Sequence, residues 1–553
     1  MTTYWVRQSD TGAANGTSYA NAWGIANASF LSAIDTVSDA EFQLCGSFKA
    51  AQASAFTHRI AMKGGLSPSR PKIIRGDYAA DPCIFWGGYM FSGTFSNAGG
   101  NIWTATGMLA NAYDDEDGVA YAIYFPTVGN PVVVSRTTSS GNCDATANSF
   151  YVTGSDSNIR VNLPAGDPTG KIMLAQYGYR FQLVRGDQRV RWVHFHGIQF
   201  RPLSRMLVVD ISGTSYIPHS LTFSSCDFHY GAQGLFHLRR ASEIEFVDCL
   251  MYGVSTAGHV YLRTTTRDDA NNTLGSDITR LQIYNSHRIN AFNCDISDAG
   301  MVWKSGTADS HGWAIQAADE LKVYRTAFQR SRAAILHWHT TVANARMDDI
   351  DIAHNSIKNA HNGVDATTGT LVRGIGTESG DAGDFSNRKV RNNWLGAPAA
   401  MSVTPTYPPH ALRCQSNLNA ANAPDVDGNV VTDWPVAICM PSNAPYVNVH
   451  DTVVRNPGGH SIVRYALGQT GQYATALCDQ NDYDGIADEA TMFGNAGANE
   501  LSAPSTAVTK TAWTDPAGSY RHDINSVFGE INASLRPDGG YILRPDGGKV
   551  LRS

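Results

Sequence analysis

The chain has 553 residues, of which 42% are apolar and 16% charged, a balance that excludes both a disordered and a highly charged protein. A formal net charge of −7 and a pI near 6.2 exclude the basic footprint of a nucleic-acid binder. No segment is apolar for long enough to be inserted in a membrane.

In chain order, residues 1–7 carry no signal-peptide stretch, and a short helix is expected at about 29–37, followed by a strand at 41–45. Residues 101–180 are rich in short strands. From about 181 a pattern recurs: an apolar residue, two spacers, a small or amide residue, a spacer, an apolar residue. It reads Phe195-x-x-Ile198-x-Phe200, Phe223-x-x-Cys226-x-Phe228 and Phe246-x-x-Cys249-x-Met251. It continues through Cys294, Val323-x-x-Thr326-x-Phe328, Ile352-x-x-Asn355-x-Ile357, Val390-x-x-Asn393-x-Leu395 and Val449-x-x-Thr452-x-Val454. Successive markers lie 28, 23, 45, 32, 29, 38 and 59 residues apart. Periods of about 20–50 residues signal a solenoid, because one repeat cannot bury its apolar face alone. The gaps of 45 and 59 are two rungs each, or one rung with a long insertion. Nine cysteines is an odd number, and three of them share the marker position; they read as a buried ladder of reduced thiols, folded inside a cell, not as a disulfide framework.

Within each repeat apolar and polar residues alternate, as in Ile244 and Phe246 against Glu243 and Glu245, or Ile350 and Ile352 against Asp349 and Asp351. Period two means strands with one face inward. A second short strand follows in several repeats, at 235–238, 260–262, 313–315, 335–337 and 370–373. Two or three short strands per turn without helical periodicity indicate a parallel β-helix and exclude leucine-rich and helical repeats. The last residues carry Leu535-Arg536-Pro537-Asp538-Gly539-Gly540 and, eight residues on, Leu543-Arg544-Pro545-Asp546-Gly547-Gly548, tight-turn signals between short strands.

The start of the chain resembles the N-terminal cap of the pectate-lyase-like right-handed parallel β-helix superfamily. The resemblance rests on Tyr4-Trp5-Val6, on Gly16-Thr17-Ser18-Tyr19-Ala20-Asn21-Ala22-Trp23, and on Ser69-Arg70-Pro71-Lys72-Ile73-Ile74-Arg75-Gly76-Asp77-Tyr78. It implies an all-β protein with a cap and first rungs at 1–100, a β-rich insert at 101–180, a β-helix body at 181–490 and a C-terminal β element at 491–553. The chain is similar to phage tailspike depolymerases. That implies a homotrimeric virion spike, folded in the host cytoplasm and attached to other virion proteins, that binds and cleaves a cell-surface polysaccharide. Two alternatives stand beside it: a secreted, monomeric bacterial lyase or glycoside hydrolase, and a non-catalytic adhesive spike.

Three clusters are candidates for the chemistry. Trp303-Lys304 with Asp309 to Trp313, including His311, can stack a sugar ring and move a proton, or form a surface loop packed on the solenoid. Arg332 with His337-Trp338-His339 has two readings: strict alternation puts both histidines inside on the face of Ile335, whereas a kink at Trp338 puts both in the groove, where they suit proton transfer; no third metal ligand lies near in sequence. Asp348, Asp349 and Asp351, with Asp365 and Glu378, supply acids; carboxyls on neighbouring rungs, about 4.8 Å apart, can meet the separation glycoside hydrolysis needs. A hydrolase would use Glu378 with Asp349 or Asp351, then Asp309. A lyase would use His311 or His337 as base, with Arg373 or Lys304 steadying the enolate. Arg239, Arg263 and Arg373 are expected as a column after successive second strands, holding substrate carboxylates. No cofactor is expected. The acidic run Asp479, Asn481, Asp482, Asp484, Asp488 and Glu489 leaves a calcium alternative, although its spacing departs from the calcium-loop pattern.

Overall fold

The computed structural model describes residues 1–51, 59–60, 62–107, 121–153, 158–175, 182–183, 190–201, 207–209, 219–231, 235–238, 242–254, 258–262 and 286–299. It further describes 311–315, 318–331, 333–337, 346–360, 373–377, 384–396, 410–414, 424–432, 434, 436–441, 448–450, 452–455, 460–465, 477–479 and 482–483.

From residue 191 onward the chain visits three parallel sheets in rotation. One rung runs His219–Ser224 in the first sheet, Asp227–Gly231 in the second and Phe236–Leu238 in the third. The next runs Ser242–Val247, Leu250–Val254 and Gly258–Leu262, each strand paired in parallel with its counterpart one rung earlier. Among the described residues the sheets hold 15, 19 and 9 strands, and the protein is mostly β. All three face one core. Phe223, Phe228 and Phe236, one from each sheet, meet with ring centroids 5.8, 5.5 and 4.9 Å apart. Along the rungs Phe195, Phe223 and Phe246 stack at 4.9 and 5.5 Å. Each such fully buried ring contributes about 1.5–3 kcal/mol through area removed from water.

Two backbone kinks recur in each rung. Strands of the first sheet carry a left-handed residue partway along: Ser220, Glu243, Arg288, Asp349 and Asn387 have φ of 57, 55, 54, 54 and 47°. Because neighbouring strands kink at the same place, register survives; His219 pairs with Ser242 and Leu221 with Ile244, skipping the kinked pair. The second kink makes the corner into the second sheet, where Ser225, Asp248, Asn293, Arg325, His354 and Asn392 take φ of 48–57°. The marker residue follows each corner directly. Its side chain is buried and bonds to a neighbouring rung: Cys226, Cys249 and Cys294 direct their thiols to the carbonyls of Phe195, Phe223 and Phe246. Thr326, Asn355, Asn393 and Asn429 accept instead from the backbone N–H of the marker one rung earlier.

The two long marker gaps resolve differently. Leu250–Val254 pairs directly with Asp295–Ala299, so the gap of 45 is one rung with an insertion. The gap of 59 is two rungs, because Val430–Thr432 lies between Trp394–Gly396 and Val453–Arg455, and Asn429 is the missing marker. Cys45, Cys83, Cys143 and the three ladder cysteines are free and buried.

Ahead of this body, Thr2–Arg7, Ala40–Leu44 and Lys72–Arg75 extend the first sheet in parallel. A helix at Ala28–Thr36, N-capped by the Asn27 side chain, buries Phe30 and Ile34, with Phe30 edge-on to Phe42. It lies at the end of the shared core, where it covers apolar groups that would otherwise face water. The strands from Ile84–Met90 to Ile172–Ala175 pair largely antiparallel and enclose a second core around Tyr89, Tyr124, Phe150 and Leu174. One strand expectation shifts: the third-sheet strand expected at 370–373 is Arg373–Thr377. The turn repeats after residue 535 lie outside the described residues.

Candidate functional site on the outer face of the first sheet

Alternation turns Ile289, Val323, Ile350, Ile352 and Val390 inward, all 0–1% exposed, and turns the residues between them outward. Register then stacks the outward residues into two columns. One runs His194, Thr222, Glu245, Asn290, Lys322, Asp351, Lys389, Asp425. The other runs Arg75, His196, Ser224, Val247, Phe292, Tyr324, Ala353, Arg391, Asp427. In the middle, Val247 and Phe292 are buried beneath a half-exposed Tyr324, whose ring meets that of Phe292 edge-on at 5.9 Å.

On one side of this apolar patch lies an ionic cluster. Arg391 makes a two-pronged contact to Asp351, Nε to Oδ1 at 3.0 Å and a second nitrogen to Oδ2 at 2.6 Å. The Tyr324 hydroxyl donates to Oδ2 at 2.6 Å. Burial and this hydrogen bond push the Tyr324 phenol well above its usual value, and the Asp351 bond raises Arg391. Tyr324 is therefore a donor across the physiological range. Lys322 and Lys389 flank Asp351 in register.

On the other side lie Arg75, Asp77, His194, His196 and Ser224. The Ser224 hydroxyl is 2.7 Å from His196 Nδ1 and 2.6 Å from His194 Nε2, and His196 Nε2 is 3.4 Å from Asp77 Oδ2. Burial raises the Asp77 carboxyl, but the bonds from His196 and Arg75 outweigh it and hold the group well below the usual carboxylate range. Asp77 arrives from a segment more than a hundred residues earlier in the chain, because Lys72–Arg75 pairs with Arg191–His196. Gly197 makes the approach possible. It takes the corner at φ +63°, and a Cβ there would lie 2.6 Å from the Asp77 Cβ. The kinked column forms a third polar line: Arg288 bridges Glu243 and Glu320 at 3.5 and 2.5 Å, and Asn387 bonds Asp349.

Of the residues expected from sequence, Asp349 and Asp351 both face outward on Arg346–Ala353. Asp351 meets no acid at rung spacing, since its in-register neighbours are lysines. Trp313 requires correction. It is 0% exposed, turned into the core by the alternation that also buries Ile315, and edge-on to Phe246 at 6.2 Å, so it is no platform for a sugar. The arginine column also requires correction. Arg239 and Arg263 directly follow Phe236–Leu238 and Gly258–Leu262, whereas Arg373 begins its strand and pairs with Ala333. The residue that follows Arg373–Thr377 is Glu378. His311 opens and His337 closes their third-sheet strands, His337 in register with Ile315. Trp303, Lys304, Asp309, Trp338, His339, Arg239, Arg263 and Glu378 lie outside the described residues, as do Asn481, Asp484, Asp488 and Glu489. Among the described residues no group of three or more His, Cys, Asp or Glu side chains is placed to hold a metal ion. No helix among them is long and apolar enough to cross a membrane.

No protein-family model matches the chain, and no curated protein is similar to it in sequence. Among solved structures it is similar to XylC in complex with xylose, at 9% identity and a TM-score of 0.45 over 88% of this chain and 87% of that one. It is also similar to the GH136 lacto-N-biosidase from Eubacterium ramulus, at 11% identity and a TM-score of 0.41, over 87% of this chain and 67% of that one. What the topology itself defines is a mostly β protein of large parallel sheets around a shared core.

Proposed function

We propose that the three sheets close into a right-handed parallel β-helix and that the outer face of the first sheet binds and cleaves a polysaccharide. Right-handed passage is the rule for parallel strands joined by crossovers, in about 98% of cases. The observation that supports the function is the central patch. The half-exposed Tyr324 ring, seated edge-on over the buried Phe292, adjoins the Tyr324–Asp351–Arg391 cluster, with Lys322 and Lys389 beside it. Apolar ring faces next to fixed charged donors are what a sugar offers contacts to. Asp351, held by Arg391 and Tyr324, positions those donors; cleavage falls to Glu378 with Asp349 in a hydrolase, or to a histidine base in a lyase. The finer reading is a homotrimeric phage spike acting on a bacterial surface polysaccharide, with its cap at 1–100, insert at 101–180, body at 181–490 and terminal element at 491–553. XylC and lacto-N-biosidase bear carbohydrate names, which agrees with this direction but adds no weight at such low similarity.

The test is incubation with a panel of capsular polysaccharides, lipopolysaccharides and uronate polymers, followed by new reducing ends. Reducing ends alone indicate hydrolysis; reducing ends with absorbance from a C4–C5 double bond indicate elimination. Arg391→Ala and Tyr324→Phe should each lower turnover about 10–100-fold, and Glu378→Ala should abolish it with folding retained. Full activity in all three variants would overturn the site. Light scattering reports whether the species is a trimer or a monomer, and a monomer would favour a stand-alone enzyme.

A further inference from the structure

We propose that Ser224, His196 and Asp77 form a nucleophilic relay that hydrolyses carboxylic esters, giving this face a second activity at its other end. A serine hydroxyl is a poor nucleophile unless a base within hydrogen-bond reach takes its proton, and a base works best when a third group orients it. All three parts are present: Oγ to Nδ1 at 2.7 Å, Nε2 to Oδ2 at 3.4 Å, with Asp77 itself steadied by Arg75. A single pair of neutral tautomers satisfies these three contacts. His196 carries its proton on Nε2, toward Asp77, and accepts the Ser224 proton at Nδ1; His194 carries its proton on Nε2 and donates it to Ser224 Oγ at 2.6 Å.

The position also fits. His196 and Ser224 are in-register neighbours that face outward, half-buried, immediately before their corners, so a substrate reaches them from the open side of the sheet. The corner residue is Ser225, Asp248, Asn293, Arg325, His354 or Asn392 at six rungs and glycine at Gly428 and Gly197; at Gly197 the missing side chain leaves room for Asp77, whose Cβ a Cβ there would meet at 2.6 Å.

The chemistry balances without any further reactant. Ser224 Oγ attacks the ester carbonyl carbon as its proton passes to His196 Nδ1, and the carbonyl oxygen becomes an oxyanion beside His194 Nε2–H. Collapse breaks the carbon–oxygen bond to the alcohol, which leaves with the proton from His196. Water then attacks the acyl-serine, again losing its proton to His196, and the carboxylic acid departs with Ser224 restored. The substrate class is an O-acyl ester. Tyr324 lies three strands further along the same column, about 14 Å at the usual strand spacing, so on the proposed polysaccharide the acyl group would be carried by a sugar a few units from the central patch. That last clause rests on the proposed function; ester hydrolysis itself does not.

The experiment uses the full chain with p-nitrophenyl acetate and, separately, a fluorophosphonate probe read by peptide mass spectrometry. Turnover above the buffer rate is expected, with the probe on Ser224. Ser224→Ala should lose at least about 100-fold and all labelling at an unchanged unfolding midpoint, and His194→Ala about 100-fold in kcat. Asp77 is a positioning residue, so Asp77→Asn should lower kcat per folded molecule at an unchanged unfolding midpoint; a fall in kcat matched by a lowered midpoint would mark a purely structural role. No turnover and no labelling by the wild type, or full turnover by Ser224→Ala, would overturn the proposal. Glycosidic cleavage measured on the same samples keeps its failure apart from failure of the central patch.

Discussion

Asn393 Oδ1 accepts two hydrogen bonds from Asn355, one from its backbone N–H and one from its side-chain Nδ2, both at 3.0 Å. Asn429 does the same for Asn393, again at 3.0 Å twice. The corner before each marker exposes a backbone donor inside the core, and an amide one rung on satisfies it while its own Nδ2 bonds a carbonyl. The ladder thus converts a recurring buried polar group into a tie between rungs.

Replacing Asn393 by alanine leaves both Asn355 donors without their acceptor in a dry core. A loss of about 2–4 kcal/mol is expected, measured as a lower denaturant midpoint at unchanged slope. A loss no larger than that of Cys249→Ala would show that the amides add nothing beyond filling space.

Burial pushes the Cys226 thiol up from 9.0 to about 12, and holds Cys83 and Cys294 well above the usual thiol value. The folded value lies above the unfolded one, so the contribution is fully present below the unfolded value and is lost as pH rises toward the folded one. Stability should therefore fall between about pH 9 and 12, by about 1.4 kcal/mol per pH unit for each such thiol. Denaturation at stepped pH should give Cys226→Ala a shallower decline than wild type. Equal declines would show that this thiol ionises freely.

Gly197→Ala places a Cβ 2.6 Å from that of Asp77 at a φ of +63°. About 1–3 kcal/mol of backbone strain should appear in the unfolding midpoint. Ester hydrolysis should drop with it, because Asp77 is displaced from His196, while cleavage at the central patch continues. Unchanged ester turnover would separate Asp77 from the chemistry.

Trp313→Ala opens a large cavity beneath Phe246 and should cost about 3–5 kcal/mol, with polysaccharide affinity per folded molecule unaltered. Weaker binding at full stability would restore the tryptophan as a surface platform.

Much of the scaffold was readable in advance, since alternation states which residues face inward. It named the buried markers, turned Ile350 and Ile352 inward and put Asp349 and Asp351 outside. It passed over Asn429, whose rung lay in a gap that admitted two readings, and it offered Trp313 as a platform although Ile315 on the same strand marked the inward face. The arginine column failed for a related reason: Arg373 lies at the opposite end of its strand from the positions after which Arg239 and Arg263 follow.

The repeat pattern alone settles that strands stack and which face is dry, because burying apolar groups at period two is a local requirement that every rung states for itself. Which outward side chains become neighbours is a different matter. Ser224 meets His196 only through parallel register, and Asp77 joins them only because Lys72–Arg75 pairs with Arg191–His196 across the whole intervening insert. That pairing is a long-range contact between backbones with the same alternation, and a slip of one residue would present different side chains. Geometry at the sheet surface therefore rests on tertiary packing, with the glycine at 197 as its one local trace.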